Sequence, residues 1–343
     1  MERRPGDRVT ESFAAEHAAE AAPQPRDLLF EQASGSVRAR DDLRALAADD
    51  EAADASVVVV GWDRSLTYDK LRNAALAIRR GAVFVASNED ATYPMPDGLW
   101  PGTGAIVAAL RTATGVAPMV AGKPEPTVFE LAAERVGGVP ALAIGDRVET
   151  DILAARAAGW PSALVLTGAT GIPELAAAPA WPDYIIRRLT DLLEDRPHPQ
   201  SRTAAGPDLP HIAAMLHAGG LISGAARERI GRTIVAEVDR RVLATAAWEP
   251  FGDAALLRSV AVAQEHRRTG AGTIVVAAAL RKIAEAGIHR VYLVTESAER
   301  FFEACGFRAI DRDALPAEIA GHPQVTRECS VTAPSMELVL PHA

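Results

Sequence analysis

The chain has 343 residues, 48% of them hydrophobic and 24% charged, with a formal net charge of −9. That size and balance fit two globular domains, each with a core of its own, and the acidic sign argues against a nucleic-acid partner. Two cysteines, Cys305 and Cys329, make neither a disulfide framework nor a CxxC metal pattern, and no apolar run nears the roughly 18–20 residues of a membrane span; a cytoplasmic protein without membrane contact is expected.

Residues 1–54 are rich in Ala, Arg, Asp and Glu and poor in aromatic and β-branched types. They are expected to stay disordered, apart from a short helix near 38–48. The run Ser56-Val57-Val58-Val59-Val60-Gly61 reads as a buried strand. Helical spacing follows over 68–79, a strand over 82–87 and a helix over 104–114. Strands at 141–145 and 162–167 flank a helix over 149–158, and a last strand and helix fall at 184–187 and 189–193. Such alternation predicts α/β layers with mainly parallel strands. Residues 196–209, rich in Pro, Arg, Gln and Ser, read as a linker between a domain at 55–195 and another at 210–343. The second opens with a short helix at 210–217. Strands at 232–238 and 241–248 pair around Asp239-Arg240, and a third spans 256–262. A Gly-rich turn leads to a long helix over 273–286, then a strand at 290–295, a helix at 298–305 and a strand at 307–310.

In the first domain Lys123 follows a short apolar strand within Gly122-Lys123-Pro124. A lysine at a strand end can neutralise a phosphate. Asp146 ends the strand at 141–145, with Asp151 five residues on. Two carboxylates so placed can converge on a hard cation such as Mg²⁺, or they can simply cap a helix. The stretches Val60–Asp63, Ser87–Pro94, Gly122–Pro126 and Gly145–Asp151 together resemble a haloacid dehalogenase-like (HAD) hydrolase of the type IIA branch, which is nitrophenylphosphatase-like and glycerol-phosphate-phosphatase-like. The resemblance implies a cap remnant at about 55–116 and a partial Rossmann-like core at about 117–195. It also implies a phosphate ligand in Lys123 and metal ligands in Asp146 and Asp151. The family attacks phosphorus with the first Asp of a D-x-D motif at a strand end, and nothing in residues 1–55 of this chain fits it. Asp311-Arg312-Asp313 lies far downstream, in the other domain. A chain incomplete at the gene level, a degenerate scaffold, or a partner chain supplying the missing strand are the readings left open. Loss of that strand would leave an unpaired sheet edge able to drive homo-oligomerisation.

In the second domain the strand ending at Val262 runs into Arg267-Arg268-Thr269-Gly270-Ala271-Gly272, and a helix starts at once. Glycines admit a ligand close to backbone N–H groups, and the helix start adds partial positive charge, so the loop suits a diphosphate. A plain turn is the alternative. The segment resembles the R-x-x-G-x-G signature of GNAT acyltransferases, a mixed-sheet α/β fold. That resemblance implies acetyl-CoA or another acyl-CoA as donor, held by Val260, Val262, Arg267, Arg268, Gly270, Ala271 and Gly272, with a small amine as acceptor. Phe302 stands where the family often places a tyrosine acid, so protonation of the leaving thiolate must come from elsewhere. Glu249 is the candidate base or amine anchor, with a solvated turn carboxylate as its alternative. The expected function is acyl transfer by the second domain. A metal-dependent phosphatase seen as an incomplete chain, and a non-catalytic CoA-binding or assembly module, are the alternatives.

Overall fold

The computed structural model describes residues 55–138, 141–193, 197–221 and 227–342. The disorder expected for 1–54, with its short helix, lies outside them. The described residues fall into two compact units, 55–138 with 157–159, and 141–156 with 160–342.

The first unit is built on a parallel sheet in the order β1-β2-β5. Its elements are β1 (Val57–Val60), α1 (Tyr68–Arg79), β2 (Val83–Ala86), the hairpin β3 (Thr92–Met95) and β4 (Gly98–Pro101), α2 (Thr103–Thr114), β5 (Met119–Val120) and α3 (Thr127–Arg135). Thr67 caps α1 by accepting the Lys70 N–H on its side chain. Ala74, Ala77 and Ile78 of α1 and Val107 and Leu110 of α2 then cover the apolar strands Val58, Val60, Phe84 and Ala86. The hairpin was not foreseen. Its strands carry two prolines and little apolar periodicity, and Tyr93 is held by stacking on Trp62 at 4.0 Å between ring centroids. Residues 117–138, expected with the core remnant, belong instead with this sheet, because β5 pairs with β2.

The second unit begins with a parallel sheet β6-β7-β8. Here β6 (Ala143–Gly145) is followed by a wide turn at Val148–Ile152 and α4 (Leu153–Ala157). Then come β7 (Ser162–Val165), α5 (Ile172–Ala177) and β8 (Tyr184–Ile186). The rest is a seven-stranded mixed sheet in the order β14-β15-β13-β12-β11-β10-β9. It contains β9 (Gln200–Thr203), α6 (Leu209–Ala218), β10 (Thr233–Val238), β11 (Arg241–Phe251), β12 (Ala254–Val262), α7 (Ala271–Glu285), β13 (Arg290–Val294), α8 (Glu299–Ala304), β14 (Arg308–Ile310), α9 (Ala317–Ala320) and β15 (Ser335–Val339). Asp239 and Arg240 both take positive φ, 48° and 65°, giving the two-residue turn that the β10–β11 pairing requires.

Two expectations need correction. The segment 196–209 is no linker where it is described: β9 adds to β10, and Arg202 donates to both Asp208 oxygens (2.7 and 2.9 Å) and to Glu237 (2.6 Å). A run of polar residues thus becomes an edge strand because its charges find partners. Nor does the compact unit start near residue 210. Val148, Ile152, Leu164, Ile172 and Leu175 pack in one core with Ile234, Trp248, Leu257, Val275 and Leu280, so the three-stranded sheet is part of the same unit. Asp311-Arg312-Asp313 sits at a short 3₁₀ turn after β14, in this unit as expected. Among the described residues no helix is long and apolar enough to cross a membrane.

Candidate functional site

At the end of β6 the chain turns through Asp146 and Arg147. Asp151 closes that turn: its Oδ2 is an acceptor for the backbone N–H groups of both Asp146 and Arg147, at 3.1 Å each, and the residue is buried. A Cβ on residue 145 would collide with the Asp151 carboxylate, which is why a glycine ends the strand. Asp146 turns elsewhere. Its Oδ2 accepts the Ala169 N–H at 2.8 Å and its carbonyl accepts the Thr170 N–H at 3.0 Å, which fastens the loop after β7. The two carboxylates expected to share a cation are therefore engaged with different backbone donors. Lys123 follows β5, half-buried, in the first unit. Among the described residues no three His, Cys, Asp or Glu side chains group as metal ligands. A hard dication needs several oxygen donors; with no third His, Cys, Asp or Glu grouped beside them among the described residues, Asp146 and Asp151 by themselves do not make a magnesium set.

The second unit holds a cleft of about 580 Å³. Its origin is a parting of strands. β12 pairs with β13 only from Ala254 to Leu256, and beyond Leu256 the two diverge. The β11–β12 register slips between Thr245 and Ala247, so β12 carries one extra residue there, and Ser259 takes φ 52° within it. Residues Leu257 to Val262 form one wall of the cleft and Leu293 to Ala298 the other. Arg267, Arg268, Gly270 and Gly272 line its end at the start of α7. Gly270, the helix N-cap, has φ 97°, a conformation that side chains resist. The expected donor residues Val260, Val262, Arg267, Arg268, Gly270 and Gly272 are thus brought together. Ala271 is the exception: its side chain is fully buried in the core, and only its backbone can serve a ligand.

Glu249 does not line this cleft. It sits on β11 opposite Leu256 and accepts from Arg258 at 2.8 Å and pairs with Arg229 at 3.2 Å, with His322 at 3.5 Å. Its carboxylate is paired with these guanidiniums and holds them in place. The buried Arg258 lines the cleft in its place. Phe302 lines it too, as does Cys329, while Cys305 is buried in the core, where burial pushes its thiol up to about 12. Sequence reasoning missed Arg187, Thr295, Glu296 and Gln324 as cleft residues. They come from three separate stretches, after β8, after β13 and at the helical turn that begins with Gln324, and no spacing rule could have joined them.

Comparison with known proteins agrees with both halves. The HAD-hydrolase-like family matches residues 120–192, and the acetyltransferase (GNAT) family matches residues 189–307. A D-glycerol 3-phosphate phosphatase of Mycobacterium tuberculosis is 35% identical over 286 residues, which cover 78% of this chain and 80% of that one. A 5′-nucleotidase of Bacillus subtilis is 40% identical over 139 residues, 40% of this chain and 54% of its own. This chain thus spans only about half the length of that shorter relative. Among solved structures, a glycerol phosphate phosphatase from Mycobacterium tuberculosis in complex with magnesium matches with a TM-score of 0.50 and 32% identity, covering 74% of this chain and 63% of that one.

Proposed function

Because the chain belongs to the haloacid dehalogenase-like hydrolases and carries a GNAT acetyltransferase domain behind its HAD-like one, we propose that it is an acyl-CoA-dependent N-acyltransferase with a small amine as acceptor. The observation that carries this reading is the cleft opened by the parting of β12 from β13, with the arginine–glycine loop at its end. An acyl-CoA bound there would supply the activated thioester. Arg267, Arg268 and the first amides of α7 would hold its diphosphate. The backbone of Ser259 to Val262, released from β13, offers N–H and C=O groups to an extended arm. Arg258, kept in place by Glu249, faces the cleft near the point where the strands part, roughly 13 Å along β12 from Val262 at strand rise. It would orient the acceptor or a carboxylate on it. Phe302 contributes shape and exclusion of water but no proton. Calorimetry with acetyl-CoA and the full chain is expected to show micromolar binding, lost in Arg267→Glu. Thiol release with a panel of small amines then reads the transfer. Binding without release across the panel would replace the enzyme with a CoA-binding module.

A second reading is supported by the relatives' names: hydrolysis of a small phosphate ester by the HAD-like half. Against it stands the lack of any Asp-x-Asp ahead of Gly122 in these 343 residues. Covalent phosphoryl transfer needs that nucleophile. We expect no magnesium-dependent phosphate release from glycerol phosphate by this polypeptide. Release that is abolished in Asp146→Asn would reverse the ranking.

A further inference from the structure

The acyl-donor cleft has a wall that the GNAT match does not include. Arg187 directly follows β8, inside the HAD-like match at 120–192 and ahead of the GNAT match at 189–307. It nevertheless lines the cleft together with Arg267, Arg268 and Gly270. A Cβ placed on Gly270 would lie 3.7 Å from Arg187 Nε and 3.9 Å from its Cδ.

The side chain is held in place from behind. Asp191, almost fully buried, accepts the backbone N–H of Arg187 at 3.1 Å and of Arg188 at 3.4 Å, which folds the turn after β8. Arg187 Nε lies 3.6 Å from the same Asp191 oxygen, beyond hydrogen-bond reach, and is itself buried with no hydrogen-bond partner. A buried donor left unmade is costly. A phosphate at Gly270 would lie beside this guanidinium, whose side chain is about one-third exposed. The arginine is fixed at its root, paired by charge with Asp191 at 3.6 Å, and its side chain lines the cleft beside the loop that would receive phosphate.

We propose that Arg187 is a phosphate-binding residue of the acyl-donor site, so that the HAD-like segment completes the nucleotide end of the GNAT cleft. This rests on the acyl-CoA reading above. The nucleotide end of CoA carries a diphosphate and a 3′-phosphate, more negative charge than Arg267 and Arg268 alone offset. A guanidinium matches a phosphate with two parallel N–H donors, which suits the forked tip of Arg187. The shared chemistry is a phosphate oxygen; either group of the donor can provide it.

The test is calorimetry on the full chain with acetyl-CoA, 3′-dephospho-acetyl-CoA and acetyl-pantetheine. Arg187→Gln is expected to weaken acetyl-CoA about 10-fold or more and to leave acetyl-pantetheine unchanged. Arg187→Lys, which keeps a cation without the fork, restores part of the loss. Arg188→Gln, the neighbouring exposed arginine outside the cleft, serves as the control and binds as the native chain does. If the loss persists with the dephospho compound, the diphosphate is the ligand; if it vanishes, the 3′-phosphate is. Native chain that binds acetyl-CoA while Arg187→Gln binds it equally well, or Arg188→Gln loses as much, overturns the proposal alone. Native chain that binds no acetyl-CoA overturns the donor-site reading and this proposal with it. Equal melting temperatures of the variants exclude a folding cause.

Discussion

Two side chains illustrate how context sets chemistry. Glu249 looks like a base by position, yet it holds Arg258 and Arg229 by charge. Removing its charge would leave two guanidiniums without their common partner. Glu249→Gln is expected to cost about 1.5–3 kcal/mol of stability. Its main kinetic effect should be a raised KM for the acceptor, with the pH profile of kcat/KM unchanged. Loss of the acidic limb of that profile would instead make Glu249 the base. The cysteines differ in the same way. Burial pushes Cys305 up to about 12, whereas Cys329 is partly exposed and lines the cleft. Mass spectrometry after alkylation of the native chain at pH 8 should find Cys329 modified and Cys305 intact. Acetyl-CoA should slow that reaction.

At the scale of elements, β9 is an edge strand fixed by charge. The hydrogen bonds from Arg202 hold the Asp208 carboxyl below its ordinary range. The unfolded chain therefore takes up that proton first as pH falls. The stabilisation is complete above about pH 4 and is lost below it, as the pH passes down through the folded-state value. Asp208→Asn should lower stability by about 1.5 kcal/mol at neutral pH, at the modest end because Arg202 is partly open to water. Denaturant titrations at pH 7, 4 and 2.5 should show the gap between native and variant chains closing. A gap independent of pH would mean that the ion pair is not what holds β9.

For the whole molecule, the division of labour between the two resemblances does not follow the division of the fold. The sheet β6-β7-β8 and its connections belong by sequence to the HAD-like match, but Leu164 of β7, Val148 and Ile152 of the turn after β6, and Leu175 of α5 share a core with α7 and the mixed sheet. A protein of residues 141–343 is expected to melt cooperatively. One of residues 197–343 loses those side chains, exposes their partners and should melt markedly lower or aggregate. Similar melting of the two would show the shared core to be dispensable.

Much of this was legible from local pattern. The Val57–Val60 run, the helix Tyr68–Arg79, the Asp239-Arg240 turn and the Arg267–Gly272 loop depend on neighbours within a few residues, and periodicity and glycine placement report such neighbours directly. What escaped depended on partners distant in the chain. Ser335–Val339 was not foreseen as a strand because Glu337 breaks its apolar run. In the fold Glu337 is buried, accepting from Tyr292 at 2.9 Å and Arg308 at 2.6 Å, and the strand lies between β13 and β14. The same holds for Arg187, Arg258 and the backbone engagement of Asp146. The amino-acid order by itself determined both families and the donor loop, because those are written in contiguous residues. The parting of β12 from β13, the ties on Glu249 and the reach of Arg187 into the cleft were decided only by tertiary structure, because packing and charge pairing act through space.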